Sequence, residues 1–193
     1  MEQLTALWRR ASEPASAHDV AAALLPADAY ARTRGVAQQA ARLARAGRLD
    51  RAGRRRLLAT AWVHDLGERL GPGLPSLEAG RALRRAGHEP LARLVAHAGS
   101  ADLAAALAGL PPVTREFPRP RPPDDVLLLL LDVALVTTAG DGSRVTPADA
   151  LRDLVRRADP RSPAVRVRVA LIARLGDDPD ARLLVERVAV PSA

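Results

Sequence analysis

The chain has no cysteine, no lysine and few aromatic residues, and each of these absences excludes a class of structure or chemistry. Without cysteine there is no disulfide, no thiolate metal site and no cysteine nucleophile. Without lysine there is no phosphate-binding P-loop, because that motif requires one. Aromatic residues make up only 2% of the 193 positions while 48% are hydrophobic. We therefore expect a core built from many small aliphatic contacts.

Long hydrophobic segments are also missing. The longest apolar run covers residues 126–131 and resumes at 133–136 after Asp132, which is too short to cross a bilayer. Residues 1–10 lack the apolar segment that is typical of a secretory signal. The sequence therefore predicts a cytoplasmic protein without a membrane partner.

The basic residues are all arginine, and the formal net charge is +7. A basic chain is a candidate for nucleic-acid binding. Here, however, the arginines are interspersed with acidic residues, and only Arg54, Arg55 and Arg56 form a run, which on a helix is typical of a solvated face. We therefore expect no nucleic-acid partner.

Composition and punctuation predict an all-α protein. Alanine, leucine and arginine favour helices, and proline, glycine, serine, threonine and aspartate occur where helices begin and end. The predicted helices cover residues 26–47, 50–67, 76–87, 90–99, 100–108, 124–138, 146–158, 162–175 and 179–188. Residues 111–123 contain six prolines and predict an extended loop. We interpret this loop as an excursion within one domain, residues 1–193, and leave open whether it is a lid, a partner contact or neither.

The chain has four histidines, and His64 is the one in the most informative context. It precedes Asp65 at the end of an apolar helix, and Gly67 follows. An imidazole beside a carboxylate suits iron, manganese or zinc. Alternatively, the histidine simply faces the negative end of the helix dipole and the aspartate caps the next turn. His18 and His88 lie beside loop signals, so we expect them to be solvated.

Five short stretches follow one another between residues 30 and 146, which is about 60% of the chain. They are Tyr30–Ala37, Ala61–Gly67, Leu77–Arg85, Leu94–His97 and Thr137–Gly142, with Val145-Thr146 after the last. Together they resemble the HD-domain superfamily of metal-dependent phosphohydrolases, in particular a branch of small bacterial HD proteins. The resemblance implies an all-α HD-domain helical bundle, with a core at about residues 26–146 and extra helices at both ends, the C-terminal extension covering about 147–193.

The resemblance also implies a divalent metal held by a first histidine, a His-Asp pair and a distant aspartate. Such a metal polarises a phosphoryl oxygen and generates hydroxide for attack. The pair is present as His64 and Asp65, which are the candidate catalytic residues. The first histidine, however, falls on Arg32, and the distant aspartate falls on Leu135.

Two further histidine positions of related proteins are only partly kept. One falls on Pro75, and a His pair falls on His97-Ala98, so that His97 remains and its neighbour does not. Two retained ligands from the His, His-Asp, Asp pattern are fewer than the three or more that metal sites usually need. We therefore expect no metal cofactor.

Arg32 suggests what replaces the metal. Arginine is cationic at physiological pH and has no lone pair to donate. We expect Arg32 to form an ion pair with Asp65 and to stand in for the ion; the alternative is that Arg32 points to solvent. If a metal (Fe, Mn or Zn) is nevertheless bound, its ligand set is His64, Asp65, His97 and Asp132, because Asp132 lies about one helical turn before Leu135. Alternatively, Asp132 pairs with an arginine.

Three functions remain open at this point. In the first, Arg32, His64 and His97 bind a small anionic ligand or a protein partner in a pocket that has lost its hydrolytic metal. In the second, the chain is an active metal-dependent phosphohydrolase acting on a nucleotide or another phosphate ester. In the third, the chain is a helical interaction module whose pocket is filled.

Overall fold

A computed structural model describes residues 8–71 and 73–189. Within those residues the chain forms ten α-helices and no strand, so the all-α prediction is confirmed. The helices are α1 (Pro14–Leu24), α2 (Ala27–Ala46), α3 (Arg51–Val63), α4 (Pro75–Arg85), α5 (Glu89–His97), α6 (Ala101–Leu107), α7 (Asp124–Val136), α8 (Pro147–Arg157), α9 (Pro163–Asp177) and α10 (Pro179–Ala189). Two 3₁₀ turns cover Leu66–Arg69 and Val113–Arg115.

Side chains cap three of these helices as the sequence predicts. The carboxylate of Asp50 accepts a hydrogen bond from the Gly53 amide at 2.7 Å. Thr146 and Ser162 do the same at the starts of α8 and α9, and a proline follows each of them at the first helical position. Such a cap satisfies one of the amides that a helix leaves unbonded at its first turn.

Two local expectations were wrong, and one helix had no predicted bounds. The resemblance implies an extra N-terminal helix, but the sequence gives no bounds for α1, because its buried face consists mainly of Ser16, Ala17, Val20 and Ala21 and carries little hydrophobic signal. Helix α3 ends at Val63 rather than near Gly67. Helix α4 begins at Pro75, so Ser76, at the start of the predicted helix 76–87, lies inside the first turn and does not cap it.

The part of the signal-peptide expectation that falls on residues 1–7 lies outside the described residues, as do residues 190–193 of the predicted domain. Among the described helices, none combines the length and the hydrophobicity needed to cross a membrane. The single-domain interpretation stays a prediction.

Two clusters of buried side chains form the core, and Trp62 packs against both of them. Trp8 is buried in the first cluster. Both tryptophans therefore contribute to the core. The proline-rich loop also contributes, because Phe117 is fully buried and the Arg84 guanidinium lies 3.8 Å from its ring centroid. The loop is thus anchored to the first cluster rather than free in solvent.

The second cluster determines where the site lies. Helices α2, α3 and α7 pack against one another in it. Arg32 lies in the first half of α2, His64 directly follows α3, and Leu135 lies in the last turn of α7. Because these helix ends meet at one end of the cluster, the three residues reach the same pocket.

Candidate functional site

One pocket collects the four positions to which the resemblance assigns metal ligands. Arg32, His64, Asp65 and Leu135 all line it, and its volume is about 300 Å³. That volume lies at the lower end of the ~300–1,000 Å³ range of small-molecule sites. Helices α8 and α9 form the opposite wall. The structure therefore contains a cavity at the predicted place.

Arg32 and Asp65 form an ion pair across this pocket. The Arg32 Nη1 atom lies 3.1 Å from Asp65 Oδ2, and the side chains are 30% and 16% exposed. The Thr33 hydroxyl lies 3.5 Å from the same carboxylate oxygen and donates a hydrogen bond to it. The predicted ion pair is thus present, and the alternative in which Arg32 points to solvent is wrong.

The charges around Asp65 keep its carboxyl ionised. Burial by itself raises the pKa of this carboxyl, but the Arg32 guanidinium, His64 and Arg168 oppose it, so the pKa lies well below its usual range. Asp65 is therefore an anion at every physiological pH. Its charge is already matched by the neighbouring cation.

His64 is buried, with 6% of its surface exposed. Its Nδ1 atom lies 2.9 Å from the carbonyl oxygen of Ala61. Because a carbonyl only accepts, Nδ1 carries the hydrogen. The Nε2 atom lies 3.2 Å from Asp65 Oδ2 but makes no hydrogen bond, and it is the only such buried side-chain nitrogen or oxygen among the described residues.

Arg168 is the main residue that the sequence analysis missed. It extends from α9 into the same pocket, is mostly buried, and donates a hydrogen bond to the carbonyl oxygen of Leu135. That bond caps the negative end of α7. Burial lowers the pKa of Arg168 to about 10, and the nearby Arg32 adds to this effect. The side chain therefore remains cationic at neutral pH.

The hydrophobic pattern of α9 contains a signal for Arg168. Val165, Leu171 and Leu175 are the buried residues of this helix. Arg168 falls midway between the first two at helical spacing and so lies on the same face. A cation within an apolar stripe indicates either a buried partner or a site.

Two more charged residues line the pocket. Arg157 of α8 pairs with Asp153 at 2.6 Å. Glu68 follows the His-Asp pair and is exposed. Partial burial of its carboxyl and the negative charge of Asp65 raise the pKa of Glu68. The described residues therefore leave one lining guanidinium, that of Arg168, without a carboxylate partner.

His97 does not line this pocket, contrary to its predicted place beside Arg32 and His64. Its Nε2 atom donates a hydrogen bond to the carbonyl oxygen of Phe117 at 2.8 Å. Burial lowers the pKa of His97. The residue ties α5 to the proline-rich loop and faces a neighbouring cavity. The reason is that α5 presents this ring to the loop rather than to α2.

Asp132 also lies outside the pocket. Its carboxylate accepts a hydrogen bond from the Gly99 amide at 2.8 Å and forms an ion pair with Arg174. Burial raises the pKa of Asp132 to about 6 although both partners, and Arg168 at longer range, oppose this. The alternative in which Asp132 pairs with an arginine is therefore the one found.

These placements test whether the donors fit a divalent metal. The described residues contain no group of three or more histidine, aspartate or glutamate side chains that could hold one. In the pocket, the remaining donors His64 and Asp65 face a guanidinium at the third position and a leucine at the fourth. This donor set does not fit the metal that the resemblance implies.

The other two histidines are less solvated than predicted. His18 Nε2 lies 2.9 Å from the hydroxyl of Tyr30, and its ring meets Trp62 edge-on. His88 Nε2 donates to the carbonyl oxygen of Trp8 at 2.9 Å. Both rings hold the first helices of the chain to the core, an arrangement of distant segments that local sequence does not signal.

Comparisons of the chain with protein-family models, with curated proteins and with solved structures find no match. What the pocket does is therefore inferred from its own residues.

Proposed function

We propose that this chain is a cytoplasmic HD-like helical protein that binds a small anionic ligand in the pocket between α2, α7 and α9 and has no metal-dependent hydrolytic activity. The observation that carries the proposal is the Arg168 guanidinium, which lines the pocket and has no carboxylate partner among the described residues. A cation held in a mostly buried position attracts an anion strongly, because water screens it poorly there.

The hydrogen-bonding capacity of Arg168 supports this role. One N–H group is used by the Leu135 carbonyl, and a guanidinium has five. In the described part of the chain, His64 Nε2 is the only fully buried side-chain nitrogen or oxygen that lacks a hydrogen bond. The N–H groups of Arg168 that make no hydrogen bond are therefore not fully buried, and they can be reached from the pocket. They are available to a carboxylate or phosphate oxygen.

The convergence of Arg32, His64, Asp65 and Leu135 on one pocket supports the HD-like part of the proposal. These four residues are spread over more than one hundred positions of the chain. Their order in the sequence does not by itself require that they line one cavity, but the HD resemblance implies that they do. An arginine and a leucine at two of the four positions explain why such a pocket binds an anion and not a metal.

The two other functions fit the pocket less well. A metal-dependent phosphohydrolase needs more donors than His64 and Asp65 provide. An interaction module with a filled pocket is at odds with a cavity of about 300 Å³. A protein partner that inserts an acidic side chain would bind the same Arg168 guanidinium. Such a partner is the alternative to a small anionic ligand.

A thermal-shift experiment on the full chain tests the proposal. The probes are inorganic phosphate, pyrophosphate, a nucleoside monophosphate and short carboxylates. A ligand present at a hundred times its Kd stabilises the native state by about 2.7 kcal/mol, which corresponds to a rise in Tm of roughly 5–10 °C for a chain of this size. We expect at least one anion to produce such a shift.

The matched variants are Arg168→Met and Arg166→Met, since Arg166 lies on the same helix but is exposed. We expect the shift to disappear in the first variant and to persist in the second. The proposal is wrong if no anion stabilises the chain, or if both variants respond as the wild type does.

A further inference from the structure

We infer that the ligand of this pocket is an amphiphilic monocarboxylate, with one negative charge at Arg168 and an unbranched hydrocarbon body against the apolar wall. This inference rests on the proposed function and narrows it to one class of anion. Three features of the pocket carry it: the balance of its charges, the chemistry of its walls and its volume.

The number of available guanidinium groups favours a ligand with a single negative charge. Three guanidinium groups line the pocket, but Asp65 neutralises Arg32 and Asp153 neutralises Arg157. Among the described residues, Arg168 is the one of these three that has no carboxylate in ion-pair contact, and Glu68 adds a further carboxylate to the lining. A monoanion fits this set, because one guanidinium is available to it and any further negative charge on the ligand meets Asp65 and Glu68.

A second charge on the ligand is disfavoured by the acidic side chains that are already present. Asp65 and Glu68 both line the pocket. A phosphate monoester or a pyrophosphate brings at least one further negative charge close to them, with no free cation left to match it. Like charges that lie close together in a partly buried site repel each other strongly.

The walls of the pocket are mainly apolar. More than half of the lining residues are alanine, leucine, valine or proline, and Leu154, Val167 and Leu171 belong to the wall that α8 and α9 provide. A fully polar anion leaves this surface in contact with water. A hydrocarbon chain covers it and gains about 0.8 kcal/mol for each buried methylene, which is about fourfold in affinity.

The volume limits the length of that chain. A water molecule takes ~30 Å³ in the liquid, so about 300 Å³ holds roughly ten non-hydrogen atoms. A carboxylate group accounts for three of these atoms. The remaining space accommodates an unbranched chain of about seven further carbons, as in octanoate.

The test is a calorimetric titration of the full chain with acetate, butyrate, hexanoate, octanoate and decanoate. We expect the affinity to rise about fourfold per methylene up to octanoate, and to level off at decanoate because the cavity is full. Hexanol and hexylammonium are the probes without a negative charge. We expect both to bind far more weakly than hexanoate, since Arg168 forms no ion pair with the first and repels the second.

Two neighbouring valines on α9 provide a matched pair of variants. Val167 lines the pocket, whereas Val169 is 47% exposed. We expect Val167→Ser to flatten the dependence on chain length without abolishing the binding of acetate and butyrate. Val169→Ser should titrate as the wild type does, and the unliganded Tm of each variant reports on its fold.

The outcomes separate this inference from the proposed function. If phosphate or pyrophosphate binds at Arg168 and the carboxylates do not, the pocket binds anions but the monocarboxylate assignment is wrong. If the carboxylates bind with an affinity that does not depend on chain length, the assignment of a hydrocarbon body is wrong, but anion binding at Arg168 stands. If no anion binds, both the proposed function and this inference fail.

Discussion

Arg32 in α2 and Asp65 directly after α3 are 33 residues apart in sequence, and their side chains meet at 3.1 Å across the mouth of the pocket. The contact joins the first half of α2 to the turn that follows α3. It also satisfies the charge of an aspartate that the HD resemblance assigns to a metal. The cation beside Asp65 is thus the guanidinium of Arg32, which is part of the protein itself.

The first prediction concerns the stability that this pair provides. Arg32→Met leaves the mostly buried Asp65 carboxylate without its ion partner. Because the pair lies between the exposed and the buried extremes, we expect a loss of about 2 kcal/mol in the free energy of unfolding. Urea denaturation of Arg32→Met, Asp65→Asn and the double variant gives the coupling energy. Arg34→Met, on an exposed position of the same helix, should change little.

This pair also predicts a pH dependence. The folded pKa of Asp65 is lower than the value of about 3.9 in the unfolded chain. Its contribution is therefore complete above about pH 5 and is lost as the pH falls below ~4. We expect the difference between wild type and Asp65→Asn to shrink on acidification. A difference that stays constant down to pH 3 contradicts the ion pair.

The second prediction is that Asp132 has the opposite effect. Its folded pKa of about 6 is higher than in the unfolded chain, so the native state binds the extra proton between about pH 4 and 6. Stability from this group then falls as the pH rises through that window, by roughly 3 kcal/mol. We expect this fall to be absent in Asp132→Asn, measured by urea denaturation at pH 4, 5, 6 and 7. The control is Asp125→Asn, at an exposed position of the same helix.

The third prediction concerns Gly67, which follows the His-Asp pair. A Cβ atom at this position would lie 1.6 Å from the carbonyl oxygen of Pro75, at the start of α4. Backbone cannot yield as a flexible side chain does, so α4 has to move away. We expect Gly67→Ala to cost more than about 3 kcal/mol, measured by thermal unfolding.

Gly176 is the matched control for Gly67, because a Cβ atom there meets nothing within 4 Å. It lies near the end of α9, where alanine is a better helix former than glycine. We expect Gly176→Ala to leave the stability unchanged or to raise it by about 0.5 kcal/mol. Equal losses in the two alanine variants would show that Gly67 has no special packing role.

The fourth prediction is that His97 holds the proline-rich loop in place. His97→Ala removes the hydrogen bond to the Phe117 carbonyl and leaves that oxygen unsatisfied. We expect trypsin to cleave after Arg115 about tenfold faster, which corresponds to about 1.4 kcal/mol. Arg115 is the trypsin site of this loop, because Arg119 and Arg121 are each followed by a proline. Arg93→Ala, at a partly exposed position of the same helix, is the control. Unchanged cleavage in His97→Ala would mean that Phe117 alone anchors the loop.

Local features of the sequence predict those parts of the fold that depend on local physics. Asp50, Thr146 and Ser162 cap helices as expected, since a cap depends on residues within one turn. The bounds of the N-terminal helix α1 were not predicted, because small residues form most of its buried face. The position at which α3 ends was also missed, since His64 and Asp65 keep right-handed helical backbone angles and a 3₁₀ turn follows them directly.

The site was only partly predictable, for the same physical reason. The Arg32–Asp65 pair follows from two short motifs whose relative position the HD resemblance supplies. The contacts of Arg168 and Asp132 depend on how α9 lies against α7. A charge within an apolar helix face marks each of the two residues, but no local pattern identifies the group that it contacts. His97 was misplaced because its partner, the Phe117 carbonyl, belongs to a loop that carries no side-chain signal.

The metal content of the full chain, purified without a metal-binding tag, tests the central claim most directly. The positive control is Arg32→His with Leu135→Asp, which restores four donors to the pocket. We predict far less than one equivalent of iron, manganese or zinc in the wild type and a gain of metal in the double variant. Near-stoichiometric metal in the wild type would contradict the account, because the guanidinium of Arg32 would then not occupy the place of the ion.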